Sequence, residues 1–162
     1  LVKRGAPLPR PTSPELDDRP ASMRSAARVW VPNRNGVFLA VGASYAEALK
    51  ADLVVAGFNA EEAATFPDNS QAFLRATNSA FRFSTLSAVR AVSYTARLRK
   101  TAIVRLGMKI GAPLDLVWCC YEGGRRLCGR CESCRLFLRA VGAAGVENWF
   151  VEHHSAFPGK GC

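Results

Sequence analysis

The sequence predicts an α/β fold: an open, mostly parallel sheet flanked by helices, followed by a carboxy-terminal segment built on four cysteines. Three observations carry this reading. Stretches with apolar residues at helical spacing alternate with short, nearly continuous apolar runs, in the order helix–strand–helix–strand–helix, as in parallel strands covered on both faces. Cys120, Cys128, Cys131 and Cys134 fall within fifteen residues at C-x7-C-x2-C-x2-C spacing. The 162 residues, 49% hydrophobic and 22% charged, suit one globular domain, or one and a small appendage, with a core of ordinary size.

Residues 1–28 hold Pro7, Pro9, Pro11, Pro14 and Pro20 among small and charged residues, a composition that predicts a flexible lead burying no core. Order is expected from Val29-Trp30-Val31-Pro32, opening an α/β domain over residues 29–117. Val37, Phe38, Val41, Tyr45 and Leu49 recur at helical spacing, with Asn35 as the N-cap. Residues 52–58 form a short apolar run of the kind a buried parallel strand shows, ended by Gly57 and followed by a loop over 59–68. Asp68 reads as the N-cap of a second helix, with Gln71 three residues on in capping-box fashion and Phe73, Thr77, Ala80 and Phe81 on one face. Residues 89–95 give a second strand. Residues 100–110 give a third helix with Ile103, Leu106 and Ile110 inward, stopped by Gly111 and Pro113. Residues 118–145 hold the cysteines and a helix from about Glu132, and 146–162 form a tail. No internal repeat is present.

The cysteine spacing points to metal. Structural zinc takes four ligands in a tetrahedron, and thiolates two residues apart in a tight turn supply adjacent corners. Gly123, Gly124 and Gly129 let the backbone fold back where a Cβ would obstruct it. Four thiolates around one dication leave about two negative charges, which backbone N–H groups and the guanidiniums of Arg125, Arg126, Arg130 and Arg135 can offset. A disulfide framework fits poorly, since no secretory signal is visible and the chain is not a small extracellular scaffold. An iron–sulfur cluster competes more seriously, but Leu138 stands where the fourth cysteine of a ferredoxin run would be, and no proline follows. Cys119 is expected to be a fifth, non-ligating thiol, and Cys162 belongs to no motif.

Reduced thiols at metal spacing favour the cytoplasm. No run of eighteen apolar residues exists, which excludes a helical membrane span. The formal net charge of +9 favours an anionic partner, and Arg97, Arg99, Lys100, Arg105 and Lys109 form a run without one acid, suited to the phosphates of a nucleotide. No aromatic-studded strand accompanies it, so nucleic acid is the secondary expectation. In an open α/β sheet, ligands sit beyond the carboxyl ends of the strands. That rule puts the loop over 59–68 and the segment over 96–100 on one rim, with Glu61, Glu62 and Asp68 facing Arg97 and Lys100. Asp68 also has the plainer reading of a helix cap. Lys100, a cation at a helix start where the dipole disfavours it, is the stronger phosphate candidate.

Four segments in order, V-P-N-R-N-G-V-F-L-A, G-F-N-A-E-E-A-A-T-F-P-D-N-S, L-R-K-T-A-I-V-R-L-G and C-Y-E-G-G-R-R-L-C-G-R-C-E-S-C-R, resemble the 7-cyano-7-deazaguanine synthase family of queuosine biosynthesis. The resemblance implies a partial ATP-pyrophosphatase-like fold and an ATP-dependent, ligase-type conversion of 7-carboxy-7-deazaguanine and ammonia into the nitrile. It implies Cys120, Cys128, Cys131 and Cys134 as zinc ligands, and Arg34, Asn35 and Lys100 at the nucleotide, which enters as ATP with Mg2+; Arg97 joins them from the reading of the basic run. Phe66, Pro67 and Asp68 would line the deazapurine side, and Lys100 and Asp68 would act in catalysis. A homodimer is compatible with it.

The sequence departs from the family at several points. Asn69-Ser70 stand where many members have Cys-Arg, Ala102 replaces a usual Glu, and Cys119 a common Ser. The S-G-G-x-D-S pyrophosphate loop is absent from these residues, and the chain opens at Leu1 rather than Met. The expectation is therefore the carboxy-terminal part of such an enzyme, its amino-terminal half supplied in cis or in trans. A non-catalytic, zinc-stabilised module that binds a purine or an RNA is the alternative.

Overall fold

The computed structural model describes residues 7–12 and 16–158, so Cys162 and Pro14 lie outside the described residues. The elements are α1 (Arg19–Val29), α2 (Arg34–Ala48), β1 (Leu53–Val55), α3 (Ala60–Ala63), α4 (Gln71–Ser84), β2 (Arg90–Val92), α5 (Lys100–Lys109), α6 (Glu132–Ala144) and α7 (Glu147–His153). Single 3-10 turns cover Pro67–Asn69 and Leu114–Leu116. The chain divides into two compact units, one over Val31–Arg99, the other joining the described residues up to Trp30 with those from Lys100 onward.

In the first unit β1 and β2 pair in parallel, with Leu53 opposite Arg90 and Val55 opposite Val92. Both strands are where the apolar runs put them, and shorter. The core gathers Leu39, Ala43 and Ala46 of α2, Leu74 and Phe81 of α4, Val89 and Ala91 of the second strand region, and Phe58. Gly42 makes the helix–strand approach possible, because a Cβ there would stand 2.9 Å from a methyl of Val54. The outer edge of β2 is closed by one side chain. Asn78 on α4 takes the Ala91 N–H at 2.7 Å and donates to the Ala91 carbonyl at 2.9 Å. An edge strand closed this way cannot pair further at that point.

Three expectations change here. The apolar stripe of α2 does not face the core: Val37, Phe38, Val41, Tyr45 and Leu49 are exposed, and Leu39, Ala43 and Ala46 are buried. The N-cap of α2 is Asn33, in the left-handed region at φ 55°, and Asn35 sits inside the first turn. The N-cap of α4 is Ser70, whose Oγ accepts the Phe73 N–H at 3.1 Å; Asp68 lies in the preceding 3-10 turn and is buried. Thus the plain capping role does not account for Asp68.

The expected flexible lead is corrected in the second unit, where Arg19–Val29 form α1. Asp18 caps it by accepting the Ala21 N–H at 2.9 Å, and Pro20 sits in its first turn, where no N–H is missed. Ser25 Oγ donates to Glu132 at 2.5 Å, the Pro9 carbonyl accepts the Glu132 N–H at 3.1 Å, and Arg139 meets Asp17 at 2.6 Å. The lead thereby docks onto α6. On α5 the buried positions are Val104 and Gly107, while Leu106 and Ile110 are exposed, so its inward face is rotated from the one expected. Residues past 145 also enter this core. Phe150 and Val141 are fully buried, and Phe137 meets Phe150 edge-to-face at 5.4 Å.

Candidate functional site

Tight turns bring the four cysteines together. Gly123, Gly124 and Gly129 all have positive φ, between 68° and 91°, a region open to glycine at no steric cost. The Sγ atoms of Cys120, Cys128, Cys131 and Cys134 lie within 4.8 Å of one another. Cys128 and Cys134 Sγ are 3.9 Å apart. Sulfurs at ~2.3 Å from one zinc-sized ion stand roughly 3.8 Å apart at tetrahedral corners, so this spacing fits a single ion. It is also far beyond the ~2.05 Å of a disulfide, and the thiols are free.

The donor set suits a cation. Burial pushes the Cys134 and Cys131 thiols up, and takes Cys119 to about 11. Burial also opposes ionisation of Cys128, but the N–H groups of Cys131 and Arg130 outweigh it and bring that thiol down to about 7. Buried thiols of raised pKa hold their protons until a metal ion displaces them, and the donor set then becomes anionic. Backbone amides, more than guanidiniums, meet that charge. The N–H of Cys128 points to Cys120 Sγ at 3.5 Å, that of Cys131 to Cys128 Sγ at 3.3 Å and that of Cys134 to Cys131 Sγ at 3.5 Å. Arg130 turns instead to Glu122 at 2.9 Å, which Arg10 also reaches at 2.8 Å. The Arg135 Nε is buried with no hydrogen-bond partner among the described residues.

The cysteine loop is fastened from behind by a residue the sequence did not single out. Buried His154 places Nε2 2.7 Å from the Val117 carbonyl, and its Nδ1 accepts the Ala156 N–H at 3.2 Å. That pairing fixes the neutral tautomer with its proton on Nε2. The Ala156 carbonyl takes the Leu127 N–H at 2.9 Å. A His flanked by Phe150 and Phe157 in an apolar stretch was the available signal.

In the first unit the expected rim exists at the carboxyl ends of β1 and β2. The Phe58 carbonyl accepts from Thr95 Oγ1 at 2.7 Å and from Ser93 Oγ at 3.1 Å, and the Ala60 N–H donates to the Leu98 carbonyl at 3.0 Å. Asn59 caps α3 through the Glu61 and Glu62 N–H groups. Asn35 and Asp68, thirty-three positions apart, are both buried and joined: Asn35 Nδ2 donates to the Asp68 carbonyl at 3.2 Å. The Asp68 carboxylate accepts from Asn69 Nδ2 at 3.3 Å. Phe66 is half-buried beside it, while Pro67, Arg34 and Arg97 are exposed. Glu61 lies 3.6 Å from Arg99. Lys100 opens α5 in the second unit. Ser93 and Thr95 escaped sequence reasoning, although two small hydroxyls just past a strand were a readable cue.

The model of the family described as queuosine biosynthesis protein QueC matches residues 11–145. The 7-cyano-7-deazaguanine synthase of Pelotomaculum thermopropionicum is 54% identical over 147 residues, 91% of this chain and 66% of the relative. That of Desulforudis audaxviator is 54% identical over 85% of this chain and 63% of its own length. That of Methanosarcina mazei is 42% identical over 94% of this chain and 67% of its own. The chain spans about two thirds of the length of the curated relatives it matches.

Proposed function

The chain belongs to the QueC family of queuosine biosynthesis proteins, and from that premise we propose that it forms the substrate-side and metal-bearing part of an ATP-dependent 7-cyano-7-deazaguanine synthase. The observation that carries this reading is the buried junction of Asn35 and Asp68 at the strands' carboxyl ends, where an α/β sheet takes its ligand. In the proposed reaction the carboxylate of 7-carboxy-7-deazaguanine attacks the α-phosphorus of ATP, with Mg2+ as counter-ion, and releases pyrophosphate. Ammonia displaces AMP to give the amide. A second ATP adenylates the amide oxygen with release of a second pyrophosphate, and loss of AMP and protons leaves the nitrile.

Asp68, buried and holding one weak partner in Asn69, is assigned to the deazapurine N–H groups beside Phe66 and Pro67. Arg34, Asn35, Arg97 and Lys100 are assigned to the nucleotide. Lys100 is the first residue of α5, where helix amides and a cation together suit phosphate. The thiol site is assigned to one structural Zn2+, and the reaction to the cytoplasm; among the described residues no helix is long and apolar enough to cross a membrane. The synthase names of the relatives favour this reading over a non-catalytic purine- or RNA-binding module.

Adenylation depends on holding the triphosphate in line with the carboxylate, which is mostly positioning and charge stabilisation. The relatives' further third of length supplies, in this reading, the backbone cradle that charge alone does not replace. It would extend the sheet at β1, the edge that Asn78 leaves untouched. The purified 162-residue chain is expected to bind zinc but make no nitrile, and the remaining third, fused or added as a second polypeptide, to restore turnover. In that completed enzyme Lys100→Ala should cost about 100-fold or more in use of ATP with metal content unchanged. Asp68→Asn should raise KM for the deazapurine and spare ATP. Steady nitrile formation by the isolated chain, or normal turnover of both variants, refutes the assignment.

A further inference from the structure

Phe66, Pro67 and Asp68 lie on a path between two fixed points of the first unit. Downstream the path ends on α4, where Ser70 caps the helix by accepting the Phe73 N–H and Leu74 and Phe81 enter the core. Upstream it begins at Phe58, buried past the end of β1. The Phe58 carbonyl has two lone pairs, and both are engaged: Thr95 Oγ1 donates to it at 2.7 Å and Ser93 Oγ at 3.1 Å.

From that carbonyl a hydrogen-bonded relay runs to Asp68. The Thr95 carbonyl takes the Leu98 N–H at 2.9 Å, and the Leu98 carbonyl takes the Ala60 N–H at 3.0 Å. The chain is thus gripped on both sides of Asn59, itself buried, which caps α3 through the Glu61 and Glu62 N–H groups at 3.1 and 3.0 Å. The Glu62 carbonyl accepts the Phe66 N–H at 2.8 Å, and the Phe66 carbonyl accepts the Asn69 N–H at 3.0 Å. Helix α3 has four residues, too few to hold its own place. Its position is therefore set by what holds Phe58 and Ala60.

We propose that Thr95, supported by Ser93, is a positioning residue for the deazapurine: its hydroxyl anchors the upstream end of the segment that carries Phe66 and Asp68. The inference rests on the assignment of Asp68 made above. Neither hydroxyl need touch the substrate. A carboxylate that must meet ring N–H groups within about 0.5 Å depends on ties of this kind beneath it. Thr95 is the main tie, because its bond is the shorter and its branched side chain restricts χ1.

The test sets Thr95→Val, which keeps the shape and removes the hydroxyl, against Thr95→Ser, which keeps the hydroxyl. In the metal-loaded chain Thr95→Val should speed amide exchange over residues 60–66 about 10-fold, leave that of Leu53–Val55 unchanged, and be rescued by Thr95→Ser. In the completed enzyme Thr95→Val should raise KM for 7-carboxy-7-deazaguanine about 10-fold and spare KM for ATP, with a smaller rise for Ser93→Ala. Added to Asp68→Asn it should cost little more, since the tie acts through that carboxylate. An equal rise in exchange at Leu53–Val55, an equal loss in use of ATP, or full additivity with Asp68→Asn would make the tie merely structural and overturn the inference. Sensitivity to Asp68→Asn with none to Thr95→Val strikes the inference alone. Normal use of the deazapurine by Asp68→Asn strikes the assignment of Asp68, and the inference with it.

Discussion

Around α6 the fold is fastened by four sulfurs within 4.8 Å of one another and by the edge-to-face rings of Phe137 and Phe150. Around α2 it rests on aliphatic contacts and two strands of three residues, with the helix bare on its far side. The difference is one of reach. A metal crosslink concentrates its stabilisation within a short loop and needs little surface, while a parallel sheet becomes stable only when extended and covered on both faces. The second unit thus holds the means of its own stability, while the first, in the function proposed above, is completed by other polypeptide.

Metal removal should break this comparison most sharply. Trp30, Trp118 and Trp149 all belong to the second unit, so tryptophan emission reports it alone. Chelation, or Cys131→Ser, should unfold that unit, since structural zinc contributes apparent energies of ~10 kcal/mol or more. Amide exchange at Leu53–Val55 should stay as slow as before. Simultaneous loss of both signals would mean that the units fold as one. Elemental analysis showing iron with a brown chromophore would replace zinc by a ferredoxin-like site.

Core truncations come next. Phe150→Ala should cost ~3–5 kcal/mol in the metal-loaded protein, and Leu39→Ala ~2–5 kcal/mol. Their dependence on metal separates them. Chelation should abolish the effect of the first and leave that of the second, as read by denaturant titration with the tryptophan and exchange signals. His154→Ala removes the tie between Val117 and the segment near Ala156, exposing one buried carbonyl and one N–H to no partner; ~1–3 kcal/mol is expected, confined to the second unit.

The smallest effects are at the surface, one in each unit. A backbone hydrogen bond from Ser87 holds Glu47 below the ordinary carboxylate value, and Arg130 with Arg10 does the same for Glu122. Depressed carboxylates contribute stability fully present above their unfolded value and lost as pH falls through the folded one. Glu47→Gln should therefore flatten the acid limb of the first unit only, and Glu122→Gln that of the second only. A change in the wrong unit's signal would break the separation.

The four-cysteine cluster was legible in the sequence because its geometry is local: thiols separated by seven, two and two residues, with glycines at the turns, fix which atoms can meet whatever the rest of the chain does. Helix and strand positions were legible for the same reason, since periodicity is a property of neighbours. What tertiary structure decided was which side of each element is covered. The stripe at Val37, Val41 and Tyr45 has the same spacing whether it faces a core or water, and the close approach of Gly42 to Val54 goes with burial of Leu39, Ala43 and Ala46 instead. Composition misread the lead, because counting prolines hid the Asp18 cap and Pro20 start that make α1 a helix. Asp68 looked like a cap from its distance to Gln71, but Ser70 is nearer in the fold and left the carboxylate buried beside Asn35. Long-range partners such as Asn35 with Asp68, or His154 with Val117, leave no periodic trace; they exist only once the chain has closed on itself.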